Sequence, residues 1–149
     1  LARMVMGESF EDQMMVEVVS FGFKHGVPLD ADLVLDVRFL PNPYYEADLR
    51  PQTGLDEAVA RYVTEHQDAT AWLTDTMEYL RRWLPAYART GRSRLSIAIG
   101  CTGGQHRSVA LAEAVGAGLR QRTPALTVRH RDRPLANRTA SEALTSTTP

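Results

Sequence analysis

Apolar positions along this chain alternate between two periods, and the alternation predicts its architecture. Met14–Phe21, Leu33–Val37, Leu95–Ile99 and Leu126–Val128 are short apolar runs, and each closes on glycine or arginine, as strands do at a turn. Between them Asp56–His66 carries Val59, Tyr62 and Val63, and Thr70–Tyr87 carries Leu73, Met77, Leu80 and Leu84. After residue 108, Leu111, Val115 and Leu119 recur at i, i+4, i+8. These are one-sided helical stripes, whose ordinary use is contact with a core rather than with a cofactor. Pro85 predicts a kink in the second helix and Gly91 its end. Small residues between the apolar ones of Leu95–Ile99 suit a strand covered on both faces. Strands separated by helices predict an α/β fold, a single domain with a small, largely parallel sheet flanked by helices.

The remaining segments divide the chain. Residues 1–13 lack a sustained period and mix Gly7, Glu8, Glu11 and Asp12, so they read as a linker or entering segment. Residues 14–133 hold the domain, and residues 134–149 form a polar tail, Ser/Thr-rich from Ala140, that is expected to be disordered. Leu1 in place of methionine makes a fragment or processed product the expectation. The stretch from Arg38 to Gly54, with Pro41, Pro43 and Pro51, is longer than the roughly 12–15 residues that structureless connections rarely exceed, and such connections tend to be functional.

Composition narrows the function classes. With 44% hydrophobic and 23% charged residues and a net charge of -1, the chain reads as a globular protein without a global basic field for nucleic acid. No run approaches the roughly 18 apolar residues of a membrane span, and no secretory signal opens the chain, so a cytoplasmic location without a membrane partner is expected. The single cysteine excludes an internal disulfide and a Cys-based zinc site. His25, His66, His106 and His130 form no His-x3-His pair, so neither a metal nor another cofactor is expected.

Chemistry-bearing residues gather at the predicted strand ends, where open parallel sheets bind ligands. Lys24 and His25 follow the first strand, Asp36 and Arg38 the second, Cys101–Arg107 the third, and His130 and Arg131 the fourth. Gly100-Cys101-Thr102-Gly103-Gly104-Gln105-His106-Arg107-Ser108 runs from a strand into a helix. Glycines admit a ligand to the backbone, and the helix start offers unsatisfied N–H donors and partial positive charge. Thr102 and Ser108 add hydroxyls, and Arg107 adds a fork that fits two anion oxygens. A tight turn packed through glycine explains the glycines alone, but not this whole set. A rival reading starts from the Cys-x5-Arg spacing of cysteine-dependent phosphatases. Cys101 would be the nucleophile, Arg107 the phosphoryl clamp and Asp36 the general acid, although the spacing recurs by chance.

Several blocks carry a more specific signal. Ser20-Phe21-Gly22-Phe23-Lys24-His25-Gly26, Asp36-Val37-Arg38-Phe39-Leu40-Pro41-Asn42-Pro43, Leu49-Arg50-Pro51, Thr53-Gly54-Leu55-Asp56, Ala98–Gly104, His106-Arg107-Ser108-Val109 and Arg129-His130-Arg131 closely resemble the C-terminal domain of the RapZ/YvcJ family, in order, over residues 14–133. The resemblance implies a domain similar to a phosphofructokinase subdomain, in a bacterial regulatory protein whose full form is a homo-oligomer with an N-terminal P-loop domain. It implies an RNase-adapter role toward small RNA and a ligand that is glucosamine-6-phosphate, or UDP-N-acetylglucosamine in the YvcJ branch. It also implies a ligand pocket that includes Arg38, Arg50, Cys101, Thr102, Gly103, His106 and Arg107. With the strand-end residues, the expected ligand set adds Lys24, His25, Asp36, Asn42, Gly104 and Ser108. RNA contacts are expected at Arg129, Arg131, Arg133 and Arg138.

Three features depart from the family pattern. No G-x-x-x-x-G-K-[ST] run exists, so the family's P-loop site is absent from this chain and no enzymatic activity is expected of it. Tyr44 stands where the RapZ pattern has histidine, and the segment from Pro134 keeps only Arg138 as a basic residue.

Overall fold

The computed structural model describes residues 14–132. The expected linker at 1–13, the tail at 134–149 and Arg133 lie outside the described residues. Four strands form one sheet: β1 (Met15–Gly22), β2 (Leu33–Asp36), β3 (Arg94–Cys101) and β4 (Leu126–His130). All pairings are parallel, in the order β2-β3-β1-β4. Three helices accompany them: α1 (Glu57–Thr64), α2 (Gln67–Arg89) and α3 (Arg107–Leu119). The predicted α/β fold with a parallel sheet is therefore the observed one.

The sheet's two faces are covered differently. α3 packs on β1, β3 and β4, with α1 and α2 against α3. Leu111, Val115 and Leu119 of α3 meet Val16, Val18, Leu95, Ile97 and Ile99 of the sheet, with Val59, Val63, Leu80 and Leu84 closing the layer. The opposite face buries Val19, Phe21 and Ala98 under Phe23 and Ala31 of the β1–β2 connection. β3 is thus buried on both faces, which accounts for its small and apolar residues.

Helix boundaries follow local chemistry. The His66 side chain accepts from Asp68 N at 3.1 Å and starts α2 three residues before the first one expected. α2 continues through Pro85 rather than breaking there, and Gly91, at φ 85°, follows its end. β4 extends two residues beyond Val128, because Val19 and Ser20 of β1 pair with Arg129 and His130. In the register, Gly22 stands beside Cys101, Asp36 beside Gly100, and Ser20 beside His130. The carboxyl ends of all four strands therefore lie along one edge.

Candidate anion-binding site

The loop between β3 and α3 is held against β1 by close backbone packing. A Cβ on Gly22 would lie 2.6 Å from the Gly103 carbonyl oxygen, and one on Gly104 would lie 2.6 Å from Gly22 N. Gly104 also has φ 80°, a left-handed conformation that glycine adopts without strain. Lys24 N donates to the Thr102 carbonyl at 3.2 Å, and Asp132 accepts from Gly22 N at 2.9 Å. Gly103 is different, since a Cβ there would meet only the Lys24 side chain, 3.8 Å from Cε and 3.9 Å from Nζ. The lysine amine thus lies over a bare stretch of backbone. Among the described residues, the N–H groups of Gly103, Gly104, Gln105 and His106 have no protein acceptor. Such a run of free donors at a helix start suits an anion.

A cleft of about 310 Å³ opens at this point, lined by Lys24, Asn42, Tyr44, Tyr45, Cys101, Thr102, Gly103, Gln105, His106 and Arg107. No carboxylate of the described residues lines it. Arg107 is 4% exposed, and no carboxylate among the described residues lies within ion-pairing distance of it. Its Nη1 donates to the carbonyls of Arg38 and Leu40 at 2.8 and 2.9 Å, and its Nη2 donates to Thr102 Oγ1 at 3.3 Å. Nε is buried without a partner. Arg107 therefore does two things: one nitrogen anchors the β2–α1 connection, and the rest of the guanidinium keeps its positive charge at the cleft.

His106, 6% exposed, fastens the same connection from a second point. Its Nε2 lies 3.2 Å from the Arg50 carbonyl, so the protonated nitrogen is the donor. Burial pushes its pKa below the usual histidine range, against the opposing pull of the carbonyls of Arg50, Gln52 and Leu49. Gly54 N donates to the Gln105 carbonyl at 2.9 Å and adds a third fastening.

The thiol of Cys101 is 2% exposed and lies 3.1 Å from Ser108 Oγ, so both groups are satisfied inside the core. Asp36 lies outside the cleft lining and makes a two-point ion pair with Arg38, at 3.0–3.1 Å to Nε and 2.7 Å to Nη2. The Arg38 hydrogen bonds hold the Asp36 carboxyl below its ordinary range, opposite to what a general acid needs near neutral pH.

Of the expected ligand residues, the fold brings Lys24, Asn42, Cys101, Thr102, Gly103, His106 and Arg107 to one cleft. His25, Asp36, Arg38, Arg50, Gly104 and Ser108 do not line it. Arg38 stacks on Phe23 at 3.8 Å, and Arg50 donates to the Tyr44 carbonyl at 2.6 Å. Tyr44, Tyr45 and Gln105 line the cleft without having been expected there. Tyr44 had a signal in its departure from the family's histidine, whereas Tyr45 and Gln105 had only their position in the long connection and the glycine loop. Arg129 pairs with Glu17 at 3.0 Å, and Arg131 pairs with Asp132 at 2.7 Å and donates to the Gly26 carbonyl at 2.6 Å. Arg133 and Arg138 lie outside the described residues. Among those described, no group of His, Cys, Asp or Glu could hold a metal, and no helix is long and apolar enough to cross a membrane.

Known proteins resemble this chain along most of its length. A nucleotide-binding protein of Desulforudis audaxviator is 48% identical over 132 residues, which is 89% of this chain and 45% of that protein. One from Trichlorobacter lovleyi is 52% identical over 87% of this chain and 46% of its own length, and one from Listeria innocua is 53% identical over 82% and 42%. The chain thus spans a little under half the length of these relatives. Residues 14–134 match the family model of the RapZ C-terminal domain, and the chain belongs to that family.

Proposed function

We propose that the chain is a regulatory binding module that holds a phosphorylated amino sugar at the strand ends and passes the occupied state to a partner. Arg107 carries this reading, as a buried cation with no carboxylate of the described residues within ion-pairing distance, facing a cleft that none of their acidic side chains lines. Burying such a charge is costly unless an anion compensates it. Lys24 over Gly103 and the free N–H groups of the loop supply the remaining anion contacts. Family membership supports the sugar as the rest of the ligand. A cleft of about 310 Å³ is at the small end of ligand sites, which favours a sugar monophosphate over a UDP-sugar.

In the same reading the full-length protein works in the cytoplasm as a homo-oligomer, with a small RNA and an RNase as partners. Arg129, 52% exposed at its pair with Glu17, can turn to a phosphate, whereas Arg131 is held by Asp132 and the Gly26 carbonyl, so Arg129 is the better supported RNA contact of the two. Catalysis has less support: the thiol of Cys101 is turned toward Ser108, and Asp36 is ionised and paired.

Calorimetry with glucosamine-6-phosphate and with UDP-N-acetylglucosamine tests the reading. Lys24→Ala should weaken glucosamine-6-phosphate binding about tenfold, the usual worth of a charge-assisted contact, with no change in melting temperature. Cys101→Ser should change affinity little. Unaltered binding by Lys24→Ala would sink the reading. So would wild-type hydrolysis of an aryl phosphate that Cys101→Ser eliminates.

A further inference from the structure

We infer that the exposed flank of α2 is an association surface, on which a second copy of this chain lays its own α2 in antiparallel orientation. The inference goes beyond the ligand reading above and makes no use of the cleft. α2 turns Met77, Leu80, Leu84 and Ala88 into the core. Beside that stripe a second one runs through Trp72, Thr76, Tyr79, Trp83, Ala86 and the C-cap Thr90, at steps of four and three residues in alternation. This is the spacing of a seam between paired helices, where the a and d positions of a heptad meet. Both tryptophans of the chain lie on it, and Tyr79 is 47% exposed and Trp83 42% exposed. A groove of about 330 Å³ opens along its second half, lined by Tyr79, Trp83, Ala86, Tyr87 and Thr90. Large aromatic side chains open to water on a rigid helix are the kind that interfaces bury at their centre.

The charges beside the seam decide what fits it. Asp68, Asp75, Arg82 and Arg89 follow one another at intervals of seven residues along its outer border, and all four are exposed. Among the described residues none of them has an ion-pair partner. The two acids occupy the first half of the helix and the two arginines the second. An antiparallel copy therefore sets Asp75 of one chain beside Arg82 of the other and Asp68 beside Arg89, and a two-fold axis repeats each pair. The same register brings Thr76 against Tyr79 and Trp72 against Trp83, joining small to large and ring to ring. A parallel copy would set like charges at the same level and form none of these pairs. The face is thus complementary to itself, in one orientation.

Sedimentation velocity of this chain over a concentration series tests the surface. Wild type should pass from monomer to dimer as concentration rises, and Trp83→Glu should stay monomeric with an unchanged affinity for glucosamine-6-phosphate, so this surface and the anion site are read out separately. Asp75→Arg and Arg82→Asp, both at exposed positions that leave the core intact, should each weaken the dimer about tenfold, because like charges then meet twice. An equimolar mixture of these two variants should dimerise as wild type does, since both pairs are restored only between the unlike chains. A wild type that stays monomeric throughout the series would overturn the inference. So would a dimer that Trp83→Glu leaves intact, or a mixture that associates no more tightly than either variant alone.

Discussion

The imidazole of His106 shows how a residue at a binding loop can serve the loop's position instead of its chemistry. It is buried and donates to the Arg50 carbonyl, and burial lowers its pKa from the ordinary 6.5. A histidine whose folded pKa is depressed takes up protons more readily unfolded than folded. Stability is therefore full above pH 6.5 and falls as the pH drops from there toward the folded value. Melting temperature should decline between pH 7 and pH 5, and His106→Asn, which keeps a donor and cannot titrate, should flatten that decline. An unchanged slope in the variant would refute the assignment. Asp36 and Asp132, both held below the ordinary 3.8, act in a separate window. The stability they add is present above pH 3.8 and is lost only as the pH falls below it.

At the scale of the element, the β3–α3 loop joins two kinds of glycine that look alike in the sequence. Gly104 is at positive φ and presses on Gly22, whereas Gly103 faces only Lys24 and the cleft. Gly104→Ala should destabilise the fold by about 1–3 kcal/mol, from backbone strain and a clash with β1 that cannot relax cheaply. Gly103→Ala should leave the melting temperature nearly unchanged and weaken phosphate binding, since its methyl group occupies the approach under the lysine. Thermal melts and calorimetry on the two variants separate these roles, and a destabilised Gly103→Ala would refute the distinction. Much of this region was legible in the sequence: the apolar runs gave the strands, their glycine and arginine ends gave the site's edge, and the glycine loop gave the cleft. The direction of Arg107 was not legible. Its Nη1 turns back to the carbonyls of residues 38 and 40, a long-range contact that leaves no local pattern. Tyr45 was missed for a similar reason, and Tyr44 was marked only as a departure from the family's histidine, because an aperiodic connection does not announce which way its side chains point.

For the molecule as a whole, the fold joins its loops at one sheet edge. Arg107, His106 and Gln105 each hold a different point of the β2–α1 connection, so the β3–α3 loop and the tyrosine-bearing segment form one unit. The relatives are named nucleotide-binding proteins, but this chain spans only 42–46% of the three described above. It contains no G-x-x-x-x-G-K-[ST] run, which supplies the backbone cradle, the lysine and the magnesium-binding hydroxyl for a triphosphate. The cleft does hold a lysine, an arginine and free N–H groups, yet no carboxylate of the described residues lines it to help retain Mg²⁺ beside a triphosphate. Calorimetric titration of this chain with Mg-ATP should therefore be flat under conditions where glucosamine-6-phosphate gives heat. Micromolar affinity for ATP that depends on Mg²⁺ and on the terminal phosphate would show that the β3–α3 loop accepts triphosphates. The binding named in the relatives would then be shared by this domain.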